Sequence, residues 1–135
     1  MTGDTAGPRF SRSLTIVIDV ALVGVFCVIG RLSHSEGIFG DVPGLLGTIW
    51  PFLAAVLLAH LIALLRRTRI DQMLPGVVIW AITVVVGLVL RAIAGQGTAL
   101  PFIIVATLTL ALFLIGWRGI LALVRRVRGR SHPRA

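Results

Sequence analysis

Asp19, His60, Trp80 and Arg118 each stand among mostly apolar neighbours, one in each apolar run of a 135-residue chain. A carboxylate, an imidazole, an indole N–H and a guanidinium are the groups that pair charges, pass protons or hold a polar solute. Their distances from the ends of the runs are nearly equal. Asp19 lies six residues beyond Ser13, His60 six before Arg66, Trp80 five beyond Pro75 and Arg118 seven before Arg125. At ~1.5 Å rise per helical residue, all four reach one layer about 8–10 Å inside a common boundary. An isolated charge there costs roughly 2.5–3.5 kcal/mol on insertion scales. The least costly arrangement pairs Asp19 with Arg118, with His60 completing the network. Three plainer readings stand beside it. Arg118 snorkels to the headgroups with Trp117 as an interfacial anchor; Asp19 favours a helix start and keeps some water; His60 is a hydrogen-bonded packing residue.

At the opposite ends of the runs, Arg31, Ser33, His34, Glu36, Asp41, Trp50, Arg91 and Gln96 collect. Arg31, His34, Trp50 and Arg91 are the candidate members of an anion-binding rim near two helix starts. The alternative is ordinary pairing of the two arginines with Glu36, Asp41 and lipid phosphate. His34 makes no metal site, because no second His or Cys lies at ligand spacing on that side. The sequence has no Gly-rich phosphate loop, His-Glu-x-x-His, Cys-x-x-Cys or Gly-x-Ser-x-Gly motif. No metal, no cofactor and no catalytic residue is expected, and an enzyme is disfavoured. A lipid-modifying activity using Asp19 and His60 is the enzymatic alternative.

The elements that position these groups follow from composition. The chain is 57% apolar and 13% charged, with a mean hydropathy of +1.02, whereas soluble domains run near 45–50% apolar and about a quarter charged. That excludes a soluble globule, a disordered tail and a disulfide scaffold. The lone Cys27 lies inside an apolar run and reads as a small hydrophobe. An all-α polytopic membrane protein is predicted, with four transmembrane helices over about 13–32, 48–65, 75–94 and 99–124 as two tandem hairpins. Residues 1–12 form an N-terminal arm and 125–135 a basic tail. The first run is too long, and lacks the cleavage pattern, for a signal peptide.

The net charge of +8 is carried entirely by arginine. Position rather than sum interprets it. Arg9 and Arg12, then Arg66, Arg67 and Arg69, then Arg125, Arg126, Arg128, Arg130 and Arg134 flank one side of the spans. Only Arg31 and Arg91 flank the other. Nucleic acid is therefore not an expected partner; the lipid bilayer is. The positive-inside rule puts both termini in the cytoplasm.

Gly47-Thr48-Ile49-Trp50-Pro51-Phe52 and Gly97-Thr98-Ala99-Leu100-Pro101-Phe102 repeat Gly-Thr-x-x-Pro-Phe. Each is read as a helix start, with Thr48 or Thr98 as N-cap and Pro51 or Pro101 in the first turn, where a missing N–H is harmless. Val17/Val77, Ala21/Ala81, Val25/Val85 and Arg31/Arg91 also match at an offset of sixty. Duplication of a hairpin and coincidence in an aliphatic-rich chain are both open. Asp19, Cys27, Gly30, Arg31 and His34 share one face of the first helix; Gly76, Trp80, Thr83, Gly87 and Arg91 share one face of the third. Ala55, Ala59 and Ala63 give the second helix a small-residue face for close approach. The fourth helix shows no single polar face.

Gly30-Arg31-x-Ser33-His34, Trp50-Pro51-Phe52, Trp80, Arg91 with Gly95-x-Gly97-Thr98, and Gly116-Trp117-Arg118 occur in this order. Over about residues 13–120 the chain resembles a family of small four-helix membrane proteins of high-G+C Gram-positive bacteria and haloarchaea, a domain of unknown function. That resemblance implies a plasma-membrane location and supplies no activity. Small multidrug exporters and fluoride channels share the size, but their weak charge bias permits dual insertion, and the lopsided arginines here exclude both. The leading expectation is a small transporter or channel-like protein for a polar or anionic solute, working as a homo-oligomer. The competing class is a non-catalytic structural or partner-binding subunit.

Overall fold

The computed structural model of the chain describes residues 10–33 and 42–131, and these fold into four helices. They are α1 (Arg12–Ser33), α2 (Val42–Leu65), α3 (Met73–Ile93) and α4 (Leu100–Arg130). All four are long and apolar enough to cross a membrane. At ~1.5 Å per residue even the shortest matches a hydrocarbon core of about 30 Å. The protein is an all-helical membrane protein. α1 and α3 agree with the sequence expectation to within two residues; α2 and α4 do not.

α2 begins six residues before Thr48, so Thr48 and Pro51 lie within the helix rather than at its start. The apolar Val42, Leu45 and Leu46 extend the run upstream, and the glycines at 44 and 47 do not stop it. Thr48 uses its hydroxyl to donate to the carbonyl of Gly44, 3.0 Å away, a bond available only inside a helix. α4 runs on through Arg125, Arg126, Arg128 and Arg130 to the end of the described tail. Arginine is a good helix former, and four of them near a C-terminus suit the helix dipole.

Local chemistry sets the other ends. Ser11 caps α1, its hydroxyl accepting the N–H of Leu14 at 3.1 Å. α2 closes with Thr68 N–H on the carbonyl of Ala63 and Arg67 N–H on that of Leu64, with Arg67 in the left-handed region at φ 54°. α3 closes the same way at Gly95, φ 73°, with Gln96 N–H on Arg91 and Gly95 N–H on Ala92. These are paired C-terminal bonds of the Schellman type. α4 starts after Ala99, with Pro101 in its first turn; Thr98 precedes the cap and bonds nothing there. The Gly-Thr-x-x-Pro-Phe repeat thus marks a helix start only in its second copy.

The helices form an up-down ring in which neighbours in sequence pack side by side. α2 and α3 share the broadest contact, α1 and α4 the thinnest. Lipid offers no hydrophobic drive for this, so close approach of small side chains must supply it. Ala55, Ala59 and Ala63 face inward from α2, and Gly76, Thr83 and Gly87 from α3. α4 contributes a four-residue stripe, Ala106, Leu110, Leu114 and Arg118. Phe52 fits a notch at Gly87, where a Cβ would lie 2.5 Å from its ring, and meets Phe26 edge-on at 5.4 Å. Leucine, valine and isoleucine cover the outer faces.

Candidate functional site

One turn and more inside the arginine-rich end, Asp19 of α1 is fully enclosed. Helical spacing from Thr15 to Asp19 to Val23 turns it inward, onto the face that α2 and α4 cover. Arg118 of α4 meets it in a fork: Nη1 donates to Oδ1 at 2.9 Å and Nη2 to Oδ2 at 2.6 Å. Trp117 donates its indole N–H to Oδ1 at 2.8 Å, and Nε2 of His60 sits 2.9 Å from Oδ2. Each carboxylate oxygen therefore accepts two bonds, the capacity of an ionised carboxyl group. Two parallel N–H···O bonds between planar groups are the strong form of an ion pair.

The guanidinium is held by four bonds. Its Nε donates to the carbonyl of Ile70 at 2.9 Å, and Nη1 makes a second bond to the carbonyl of Leu114 at 2.6 Å. Ile70 lies in the α2–α3 connection, so one arginine ties α4 to α1 and to that connection. Its stem crosses α3 at Gly76, where a Cβ would come 2.3 Å from Cδ and 2.8 Å from Nε. Glycine at 76 is what gives the arginine its passage. Arg118 also lies over the Trp117 ring, 4.6 Å from the centroid. It is enclosed rather than snorkelled to the surface.

With Nε2 facing a carboxylate, the Nε2–H form of His60 is the one that bonds, and Nδ1 is left buried without a partner among the described residues. Among the described residues, Asp19 is the charged group within bonding distance of the imidazole. A buried polar atom without a partner is rare, and usually marks strain, chemistry or an unseen water.

Trp80, placed in the same layer by sequence, does not join this group. Its indole N–H donates to the carbonyl of Thr107 at 3.0 Å, tying α3 to α4. The hydroxyl of Thr107 donates back to the carbonyl of Ile103 at 2.7 Å. The Thr107 carbonyl stands eleven residues along α4 from Arg118, about 16 Å of helix, so the ring occupies the α3–α4 seam away from the Asp19 group.

At the far end, Arg31 is buried and donates to the hydroxyl of Thr48 at 3.4 Å. Arg91 donates to the carbonyl of Gly97 at 2.9 Å and to Oε1 of Gln96 at 2.8 Å, and lies 4.3 Å over the ring of Phe102. Gln96 in turn donates to the carbonyl of Gly47. That carbonyl is the one Pro51 cannot reach, since proline lacks the N–H that would bond four residues back. The two arginines are thus joined through Gly47 and Thr48 by protein groups. Trp50 points outward, 44% exposed, and takes no part. His34, with Glu36 and Asp41, lies outside the described residues.

Two participants escape sequence inspection. Trp117 reads as an interfacial anchor yet bonds Asp19; its only signal is adjacency to Arg118. Asp71, the sole acid amid the basic connection, accepts from Arg125 at 2.8 Å and has Arg69 at 3.6 Å. Burial raises its carboxyl pKa, but the bond to Arg125 and the charges of Arg69 and Arg125 outweigh it, holding the group below its ordinary 3.8.

Among the described residues no cluster of three or more metal-ligating side chains occurs. No curated protein and no solved structure matches the chain. The segment from Ile16 to Leu121 holds Asp19, His60, Trp117 and Arg118 and reaches into all four helices; one family model matches this whole segment, and the chain belongs to that family, DUF3054, proteins of unknown function.

Proposed function

We propose that the protein is a small transporter or channel-like protein of the plasma membrane for a polar or anionic solute. Its termini lie in the cytoplasm, and Asp19, His60 and Arg118 form its working centre. The lopsided arginines support that orientation. Four helices leave little room for a pathway within one chain, so the working form is a homo-oligomer. Neither cofactor nor metal is required, and the role is not enzymatic.

The observation that carries this reading is the bare, buried Nδ1 of His60 beside an enclosed ion pair. A contact needed only for stability is often served as well or better by apolar side chains of similar volume. Here the ion pair is kept, beside an imidazole nitrogen that none of the described residues engages, and it bridges the thinnest seam of the ring. Ionisable groups enclosed in a bundle commonly mark solute or proton pathways.

A second reading, a structural or partner-binding subunit, is favoured by the saturation of Asp19, whose oxygens have no acceptor site left for a solute. Vesicle reconstitution separates the two. Ion and proton flux under imposed gradients is expected in the native protein and lost in the folded double variant Asp19→Leu/Arg118→Met. Absence of flux under every gradient, or flux unchanged in that variant, would leave the structural reading.

A further inference from the structure

We infer that the arginine-rich end of the bundle holds a binding site for a phosphate-class oxyanion, between Arg12 at the start of α1 and Arg69 in the α2–α3 connection. A cavity of about 120 Å³ opens there, lined by Phe10, Arg12, Arg69, Ile70 and Asp71. Arg12 is exposed and has no hydrogen-bond or ion-pair partner among the described residues. Arg69 is half exposed and stands 3.6 Å from Asp71, too far to hold its donors in a hydrogen bond. The carboxylate of Asp71 is committed to Arg125 at 2.8 Å. Two guanidinium groups therefore line the cavity beside a carboxylate already paired with Arg125, and these four groups together carry an excess of two positive charges.

That excess matches a dianion. Planar guanidinium forks select oxygens arranged as in phosphate, which accept two parallel bonds from each. Phe10 and Ile70 supply apolar walls that screen the charges from water on one side. Phe10 is fixed by Trp117, 5.9 Å between ring centroids, so this wall has a defined position. The floor is chemically connected to the buried centre: Ile70 lines the cavity and its carbonyl holds Arg118 Nε. Arg12 lies seven residues, about 10 Å of helix, below Asp19. That is the level at which bilayer phosphates meet water, so a lipid headgroup and a free phosphate present the same chemistry to the site.

The test uses the purified full chain in a maltoside detergent at low ionic strength, titrated calorimetrically with inorganic phosphate. A parallel arm places it in phosphatidylcholine nanodiscs with and without phosphatidic acid and measures bound lipid. Arg12→Gln and Arg69→Gln are each expected to weaken binding about tenfold, the loss typical of one charge-assisted contact. Arg128→Gln, on α4 and away from the cavity, is expected to change it less than twofold. Phosphate binding in detergent assigns the site to a soluble anion; binding only of phosphatidic acid assigns it to lipid; either supports the site. Absence of binding in both arms, or an Arg128→Gln loss equal to that of Arg12→Gln, overturns it. None of these readouts involves flux, so they stand or fall separately from transport.

Discussion

Replacing Gly76 by alanine should destabilise the bundle by about 2–4 kcal/mol, against the intrinsic preference of a helix for alanine. The added Cβ would lie 2.3 Å from Cδ and 2.8 Å from Nε of Arg118. A flexible side chain would step aside at little cost, but this one is fixed by two bonds to Asp19 and by the carbonyls of Ile70 and Leu114. Either the fork to Asp19 opens or α3 moves away from α4. Disrupting a buried ion pair costs about 3–5 kcal/mol, and alanine returns up to about 1 kcal/mol of helix propensity. Gly24→Ala is the control, since nothing lies within 4 Å of a Cβ there; it should be neutral or slightly stabilising. Equilibrium unfolding in mixed micelles by increasing SDS gives both values. Adding Gly76→Ala to Asp19→Leu/Arg118→Met should cost less, because an unbonded thioether can swing aside. A Gly76→Ala protein as stable as Gly24→Ala would refute the pinned-arginine argument.

Four further outcomes follow from the contacts described above. Asp19→Asn, which leaves Arg118 charged and enclosed, should lose about 3–5 kcal/mol, and Asp19→Leu/Arg118→Met should regain most of it; the same SDS titration reads both. Exchanging the two charges should rescue only in part, because an aspartate at 118 cannot donate to Ile70 and Leu114. Gln96→Ala should cost about 1–3 kcal/mol by leaving the Gly47 carbonyl bare, and much less in a Pro51→Ala background, where a restored N–H reaches that carbonyl. The Asp71 clamp contributes stability above the ordinary carboxylate value of 3.8 and loses it as pH falls through the lower folded value. Unfolding followed from pH 6 downward should show that loss in the native protein and not in Asp71→Asn.

The sequence makes the membrane class and the four helices legible, because twenty-residue apolar runs have few other fates. It also makes the common height of Asp19, His60 and Arg118 legible, since helical rise is fixed. Azimuth is harder. In helices apolar all round, nothing in the pattern says whether Trp80 looks toward Asp19 or toward Thr107. Helix starts fail for a different reason. Thr48 has the residue type of a cap, but threonine also bonds back within a helix, and only the upstream leucines and valine tip the balance. Gln96 shows no special pattern, yet it occupies the one carbonyl that Pro51 vacates. Such compensation is visible only when two distant segments are brought together.

The partners of Asp19 are separated from it by very different lengths of chain: His60 is 41 residues on, Arg118 99. A polypeptide made from its N-terminus therefore threads α1 into the bilayer long before its counter-charge exists. The imidazole of α2 arrives first and gives the waiting acid a provisional companion. Only when α4 emerges can the guanidinium meet that acid and close the ring. The order in which these contacts can form is thus written into the spacing, the histidine's before the arginine's.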